Sequence, residues 1–303
     1  MEQHAETELD NVTTQTGKSG VSPTSHPISF ARISAIGFLV LAVFSWGYLL
    51  VGNNSGLGDF SSSETWDNAS RFVQELAGVN SPVRPAFLNR DRWFETGKLA
   101  YQTLAMSVLA IGLAGIAVLA TFLPGARNVG NGDLGGAYSP GWCLLYYLVR
   151  AVFAFTRAVP ELVWALLLVF FLSPGIVAGA LALALHNYGV LGKLSSEVVE
   201  NLDPTPAKAL KRAGAGNLQM LLYGVVPQAL PYFVTYLLYR WEVVIRTTVV
   251  VGFVSAGGLG RELRLSLSFF HYTEVFQIII WYLILVITVD LLAAWLRRLA
   301  RLE

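Results

Sequence analysis

The chain is poor in the residues from which soluble catalytic and metal sites are built. Its single cysteine, Cys143, excludes an internal disulfide framework. The four histidines, His4, His26, His186 and His271, lie far from one another and from that cysteine, which argues against a structural zinc site. Charged residues make up only 14% of the 303, against about 25% in soluble domains. Formal net charge is +1, so no overall field recruits nucleic acid or acidic partners. There is no G-x-x-x-x-G-K-[ST] phosphate loop, no H-E-x-x-H, no G-x-S-x-G, and no paired aspartates in the apolar runs. An ATPase using that loop and the common intramembrane hydrolases are thereby excluded. What is abundant is apolar: 54% of residues are hydrophobic and 12% aromatic, with a mean hydropathy of +0.54. A single aqueous domain has no interior large enough for that excess, so the chain reads as a membrane protein.

Residues 1–32 are polar and without periodicity, and read as a flexible cytoplasmic tail. The uncharged run Ile33–Val51 is long enough to cross a bilayer core. Its long polar lead, lacking a basic start and a small-residue cleavage pattern, reads as a retained anchor helix rather than a signal peptide. Residues 52–97 form a hydrophilic extracytoplasmic segment in which no catalytic pattern appears. A second uncharged run, Leu99–Leu123, ends at Pro124-Gly125, and a Gly/Asn-rich loop follows to Trp142. Cys143–Leu172 reads as one long helix kinked near Pro160, with Arg150 and Arg157 seven positions apart on one face. After the turn Ser173-Pro174-Gly175, Ile176–Leu185 opens a further helix that continues through His186. Tyr232–Val251 and Val275–Leu296 complete six spans, or seven if the Pro160 break separates two crossings. Lys and Arg favour the inner segments when both termini are cytoplasmic, above all Arg297, Arg298 and Arg301 after the last span.

Ser195–Pro227 interrupts this apolar pattern. Asp203 is a good N-cap with Pro204 at the first helical position, and Gly214 is a natural helix stop. A short helix over Ala207–Ala213 and another over Asn217–Tyr223 would form a knuckle on the membrane surface, with Pro227 opening the next span. The pattern also suits an ordinary amphipathic connector. A DNA-reading helix-turn-helix is disfavoured by its few basic residues and its tight tether to two spans.

The fifth span carries Arg240, Glu242 and Arg246. Three charges facing lipid would cost roughly 8–10 kcal/mol on insertion scales, so they must face the bundle interior or a wet cavity. Glu242 and Arg246 have the i,i+4 spacing of a structural pair. Arg240 points about 160° away from Glu242 and needs another partner: Glu161, Asp290 or an anionic substrate. A guanidinium suits a tetrahedral oxyanion, which favours a pathway role for Arg240 and Arg246. Glu161, directly after Pro160, has a capping or pairing role open to it as well as a gating one. Asp290 reads as a helix-end or ion-pair residue and His186 as an interfacial or hydrogen-bonded one. Gly257, Gly258 and Gly260 in Ser255-Ala-Gly-Gly-Leu-Gly260 permit a tight turn or an anion-binding nest. An ion-coupled secondary carrier, with Glu242 and Asp290 as coupling sites, is the competing class of function.

Ala209-Leu210, Gly214 and Pro227 resemble the "EAA" signature of ABC-importer permeases. Glu197-Val-Val-Glu200, Asp203-Pro204, Gly214-Ala215 and Tyr223-Gly-Val-Val-Pro227-Gln228 narrow the resemblance to the phosphonate-transporter permeases. Arg157-Ala-Val-Pro160-Glu161, Leu181–Leu185, Gly189–Lys193, Tyr239-Arg240, Glu242, Arg246 and Ala256–Gly260 extend it over residues 98–300. The resemblance implies an all-α, type I permease core over 98–300 with one extra N-terminal helix. It implies an importer of phosphonates, or of phosphite, hypophosphite or phosphate, in a bacterial inner membrane. It implies two copies of the chain, a cytoplasmic ATPase dimer that holds ATP and Mg, and an extracytoplasmic binding protein, with no enzyme activity, metal or cofactor in this chain. Lys208, Ala209, Leu210, Gly214 and Pro227 would then contact the ATPase, with coupling helices in 195–227. Lys208 stands where the signature has Glu, reversing the charge. Arg240, Glu242, Arg246, Glu161, Gly257, Gly258 and Gly260 would line the substrate path.

Overall fold

The structure, a computed structural model, describes residues 30–51, 62–79, 84–134, 140–255 and 257–301. The tail expected over 1–32 therefore lies outside the described residues as far as residue 29, as do 52–61 and 80–83 of the hydrophilic segment. Among the described residues all regular structure is helical. The described residues fall into two compact units, divided between Ala69 and Ser70.

The first unit contains α1, Phe30–Val51, which is apolar on every side and buries none of its described residues. Such a helix suits lipid rather than a packed core. The amphipathic α2, Ser63–Leu76, begins in this unit, with the Ser62 hydroxyl accepting the Thr65 N–H at 3.3 Å.

The second unit opens with α3, Arg90–Thr121, whose N-cap Asn89 accepts the Asp91 N–H at 3.0 Å. At 32 residues it is about 48 Å long, well over a bilayer core of about 30 Å, so its charged first turns project beyond the apolar layer. The run that looks like a span from Leu99 thus starts nine positions earlier, with the charged stretch as its first turns. The short α4, Arg127–Gly130, lies in the loop that follows. Next come α5, Pro140–Ala158, and α6, Glu161–Phe171, bent by 94° at Pro160. Pro160 has no N–H to donate, and its ring bars the preceding residue from continuing the helix. The kink expected within one helix is therefore a right-angled elbow. Among the described residues, five other helices are long and apolar enough to cross a membrane, and the elbow pair makes six if it counts as one span.

The core is organised around α7, Ile176–Asn201, which packs against α3, α5, α6 and α10. Its buried positions are mostly small, including Ala178, Gly179, Ala182, Gly189, Gly192 and Ser196. In lipid, helices associate through close packing rather than a hydrophobic drive, and small residues permit it. Phe153 of α5 is wedged into this surface. A Cβ on Gly192 would lie 2.3–2.6 Å from its ring.

Because Ser195, Ser196 and Val199 are buried, α7 continues to Asn201 rather than giving way to a loop at Ser195. The knuckle is then α8, Thr205–Arg212, followed by α9, Asn217–Met220. Asp203 serves α8 as an Asx turn, its Oδ1 accepting the Thr205 N–H at 2.9 Å, with Pro204 at the cap. A π-turn over Leu221–Val225 joins α9 without a break to α10, Val226–Ser255, so the fifth span starts well before Tyr232 and carries Pro231 inside it. The chain closes with α11, Gly258–Ser268, and α12, Tyr272–Arg301.

Candidate functional site

Three polar constellations occupy this apolar scaffold. The first is the elbow. Glu161 is the first residue of α6, and its Oε2 lies 3.3 Å from His186 Nε2 on α7. His186 Nδ1 is 3.0 Å from the Val159 carbonyl at the bend; since a carbonyl only accepts, Nδ1 carries the proton. On the next position of α7, Asn187 accepts from Arg240 Nε at 2.9 Å and donates to the Leu183 carbonyl at 2.7 Å. The Arg240 guanidinium interacts electrostatically with Glu161. Beside them is an open cavity of about 350 Å³, bordered by Arg157, Pro160, Glu161, His186, Thr247 and Val251. Arg157 makes no hydrogen bond or ion pair among the described residues. Sequence reasoning placed Glu161 and Arg240 here but passed over Arg157 as a face-mate of Arg150, and Asn187 altogether. The signal available was Arg157-Ala-Val-Pro160-Glu161, two opposite charges astride a proline in a lipid-length run.

The second constellation is a pair of ion bridges between α10 and α12. Glu242 Oε1 lies 2.6 Å from Arg297, and Arg246 lies 2.7 Å from Asp290. The i,i+4 pairing of Glu242 with Arg246 is therefore not what the structure contains: each has a partner of its own across the helix interface. The two bridges differ in surroundings. The Glu242 and Arg297 side chains are 13% and 22% exposed, those of Arg246 and Asp290 47% and 37%. Arg240, on the other side of α10, faces α7 instead, as its angular offset from Glu242 requires.

The glycine run behaves as a packing element. Gly258 holds φ at +60°, and a Cβ there would lie 2.3 Å from Thr103 Oγ1. A Cβ on Gly260 would lie 2.0 Å from the Val249 carbonyl, so α11 is pressed directly onto α10. The Leu259 N–H donates to Thr103 Oγ1 at 2.9 Å, which leaves that amide unavailable to an anion. Gly257 is buried beside Met106 and the start of α7, at ordinary contact distances.

The third constellation is the knuckle. Gly214 at φ +91° ends α8 in a Schellman turn: its N–H donates to Lys211 O, and the Ala215 N–H to Leu210 O, both at 3.1 Å. Lys211 Nζ reaches Asn217 Oδ1 at 2.5 Å across the turn. Ala207 is buried against Gly224, which folds α8 back onto the π-turn. Lys208, Ala209, Gly214 and Pro227 are exposed, Leu210 half-buried, and the apolar Leu218 and Tyr223 also face outward. At the end of α7, Glu200 anchors this region by accepting the Arg127 N–H at 2.8 Å and pairing with Arg150. Outside the membrane, the Thr205 hydroxyl and then its backbone N–H hold the Asp203 carboxyl below its ordinary 3.8.

Comparison with known proteins converges on one family. Residues 142–302 match the binding-protein-dependent transport system inner membrane component. The chain is 35% identical over 226 residues to the phosphite transport system permease protein PtxC of Stutzerimonas stutzeri, covering 75% of this chain and 77% of that one. It is 37% identical over 203 residues to the phosphate-import permease protein PhnE of Mycolicibacterium smegmatis, covering 67% of this chain and 36% of the longer relative. The fold is similar to a chain of the inward-facing MetNI methionine ABC transporter, with a TM-score of 0.57 at 18% identity, over 70% of this chain and 99% of that one. With its helical spans, its central small-residue helix and this match over more than half its length, the chain belongs to the family of binding-protein-dependent transport system inner membrane components.

Proposed function

We propose that this permease carries phosphonates or related small phosphorus oxyanions inward, as one of two copies above a cytoplasmic ATPase dimer and below an extracytoplasmic binding protein. The chain is a transporter subunit and not an enzyme. The observation that carries the substrate class is that the relatives with the matching membrane core are named for phosphite and phosphate transport. Cationic groups within the spans fit that cargo: Arg240 and Arg246 are guanidinium groups suited to tetrahedral oxyanions, and Glu161 sits near Arg240 at the elbow. Gly257, Gly258 and Gly260 shape the same route by setting how closely α11 approaches α10 and α3. Glu242 holds α12 in place through Arg297. An ion-coupled carrier is disfavoured because both of its coupling carboxylates, Glu242 and Asp290, are occupied by arginines.

The knuckle is the ATPase contact in this reading. Lys208, Ala209, Leu210, Gly214 and Pro227 form its surface, with Leu218 and Tyr223 offering apolar area that compensates for the reversed charge at Lys208. ATP and Mg belong to the partner ATPase. The C-terminus is cytoplasmic in this reading, since the end of α12 and the knuckle lie at the same end of the second unit and carry Arg297, Arg298 and Lys211; the Lys and Arg distribution of the sequence favours the same side for the N-terminus.

The test is ATP hydrolysis and uptake by the chain in liposomes with its ATPase and binding protein, titrated with methylphosphonate, phosphite, hypophosphite, phosphate and sulfate. Stimulation by a phosphorus oxyanion supports the reading. Stimulation by sulfate alone, or by none of the set while the complex assembles, rejects the substrate class.

A further inference from the structure

The elbow cavity is bordered by a guanidinium with no partner of its own among the described residues, that of Arg157 on α5. Arg240 on α10 lies outside the lining and approaches it through Asn187 and Glu161. Glu161 and His186 form the only other titratable pair that faces it among the described residues. Both nitrogens of His186 face oxygens: Nδ1 the Val159 carbonyl, Nε2 the Glu161 carboxyl. A neutral imidazole has one N–H, and that one is committed to the carbonyl. Glu161 also interacts electrostatically with Arg240, whose Nε is held by Asn187. Arg157 has no such partner among the described residues, and inside the apolar layer one uncompensated arginine costs about 2.5–3.5 kcal/mol.

His186 is ten positions into α7, about 15 Å along the axis of a helix about 39 Å long, so the site lies within a spanning helix and not at its end. A bent helix pair within the membrane is how transporters place polar groups there without exposing backbone to lipid. Arg157 is the group left without an acceptor, and it borders a cavity of about 350 Å³, the lower end of the range for small-molecule sites.

We propose that this cavity is a binding site for a tetrahedral oxyanion within the membrane, with Arg157 as its primary ligand and Glu161 as the built-in anion that competes with the cargo. The anion takes the free donors of Arg157, and Arg240, held by Asn187 beside Glu161, adds positive charge nearby. When the site empties, Glu161 is the remaining negative group near both arginines, which favours release over retention. Binding here deepens the importer reading and rests on it for the identity of the anion. The site itself requires only a tetrahedral oxyanion.

The test is equilibrium binding of methylphosphonate, phosphite, phosphate and sulfate to the assembled permease–ATPase complex in nanodiscs, without binding protein, alongside uptake in liposomes. The wild type should bind at least one of these anions. Arg157→Gln should weaken that binding at least tenfold, and Arg157→Lys should retain most of it. Glu161→Gln should bind several-fold tighter, because the competing carboxylate is gone. This second variant leaves the elbow proline in place and adds no volume, so it answers the question even if Arg157→Gln assembles poorly. No binding by the wild type, or unchanged affinity in both Arg157→Gln and Glu161→Gln, overturns the site. Wild-type uptake of a phosphorus oxyanion together with that result would leave the importer reading standing. Binding of sulfate alone, lost in Arg157→Gln, would keep the site and reject the phosphorus substrate class.

Discussion

The two bridges between α10 and α12 differ in burial, and that difference has a measurable consequence. Glu242 and Arg297 are 13% and 22% exposed and 2.6 Å apart. Neutralising either one leaves its partner charged in an apolar interior, which costs about 3–5 kcal/mol. If the singles Glu242→Gln and Arg297→Gln acted independently, the double variant would lose about 6–10 kcal/mol. Because each single mainly strands the other charge, the double should lose no more than one single does, giving a coupling energy of at least about 3 kcal/mol. Arg246 and Asp290 are 47% and 37% exposed, and on the proposed route they face water, where an exposed pair is worth about 0.2–1 kcal/mol. The cycle Arg246→Gln, Asp290→Asn should therefore give a coupling energy below about 1 kcal/mol. Unfolding of the purified permease in mixed micelles by SDS titration, monitored by tryptophan fluorescence, reads both cycles. Additive losses at 242/297, or equal coupling in both cycles, would refute the assignment of one bridge to the packed interior and the other to a wet face.

Gly192→Leu should destabilise the permease by about 1–3 kcal/mol or more, since its Cβ alone meets the Phe153 ring at 2.3–2.6 Å. Adding Phe153→Leu should recover part of that loss, as measured by monodispersity after heating, and a double variant worse than Gly192→Leu alone would contradict the wedge. Thr103→Val should cost about 1–3 kcal/mol, because the buried Leu259 N–H loses its acceptor while shape is kept. Thr103→Ser should behave as wild type in the same heating assay, and equal damage from both would reject the hydrogen bond as the cause. At the knuckle, the Asp203 carboxyl titrates below 3.8, so its contribution to ordering α8 is present above that value. That contribution is lost as pH falls through the lowered folded value. Thr205 amide exchange, corrected for the intrinsic pH dependence, should accelerate over that window. Asp203→Asn should flatten the response, and a response that survives in Asp203→Asn would assign the titration elsewhere.

Much of this architecture is legible in the sequence because a lipid-length apolar run is a one-dimensional signal. The five spanning helices, and the elbow pair as a sixth, follow from that signal alone. Their ends do not, because what starts or extends a helix here is supplied locally or from a distance in ways hydropathy ignores. Asn89 caps α3 inside a stretch too charged to be counted, and burial of Ser196 against the Phe122 carbonyl carries α7 past the end of its apolar run. The pairing of Glu242 with Arg246 illustrates the same limit in the candidate site. The i,i+4 rule sees one helix, but Asp290 and Arg297 lie seven apart on one face of α12 and present the opposite charges in reverse order. An antiparallel neighbour matches 242 with 297 and 246 with 290, and desolvated partners across an interface outweigh an i,i+4 pair worth about 0.2–0.5 kcal/mol. Reading α10 and α12 together, rather than singly, was the available signal. Arg157 was obscured for a different reason: its significance is the absence of a partner, which is visible only once every neighbouring element is in place.

The elbow and the knuckle are joined by the same two helices. His186 and Glu200 are fourteen positions apart on the unbroken α7, about 21 Å along its axis. On α5, Arg150 reaches Glu200 and the Gly125 carbonyl, while Arg157, on the same face, borders the cavity. Between these levels the Phe153 ring packs on Gly192, and Thr156 with the α5 backbone packs on Gly189, so the two helices are in direct contact. Two helices fastened at one end and interlocked at the middle move as a body, because a bend would break either the Glu200 contacts or the Phe153 packing. A tilt of about 10° acting over about 21 Å displaces the far end by ~3–4 Å. The Glu161–His186 contact is 3.3 Å long and joins α6, across the elbow, to this body. It is therefore the contact most exposed to such a tilt, since Pro160 removes the backbone continuity that would otherwise carry α6 along with α5. A displacement too small to disturb the packed core is thus large enough to change which anion, the Glu161 carboxylate or an incoming oxyanion, faces Arg157.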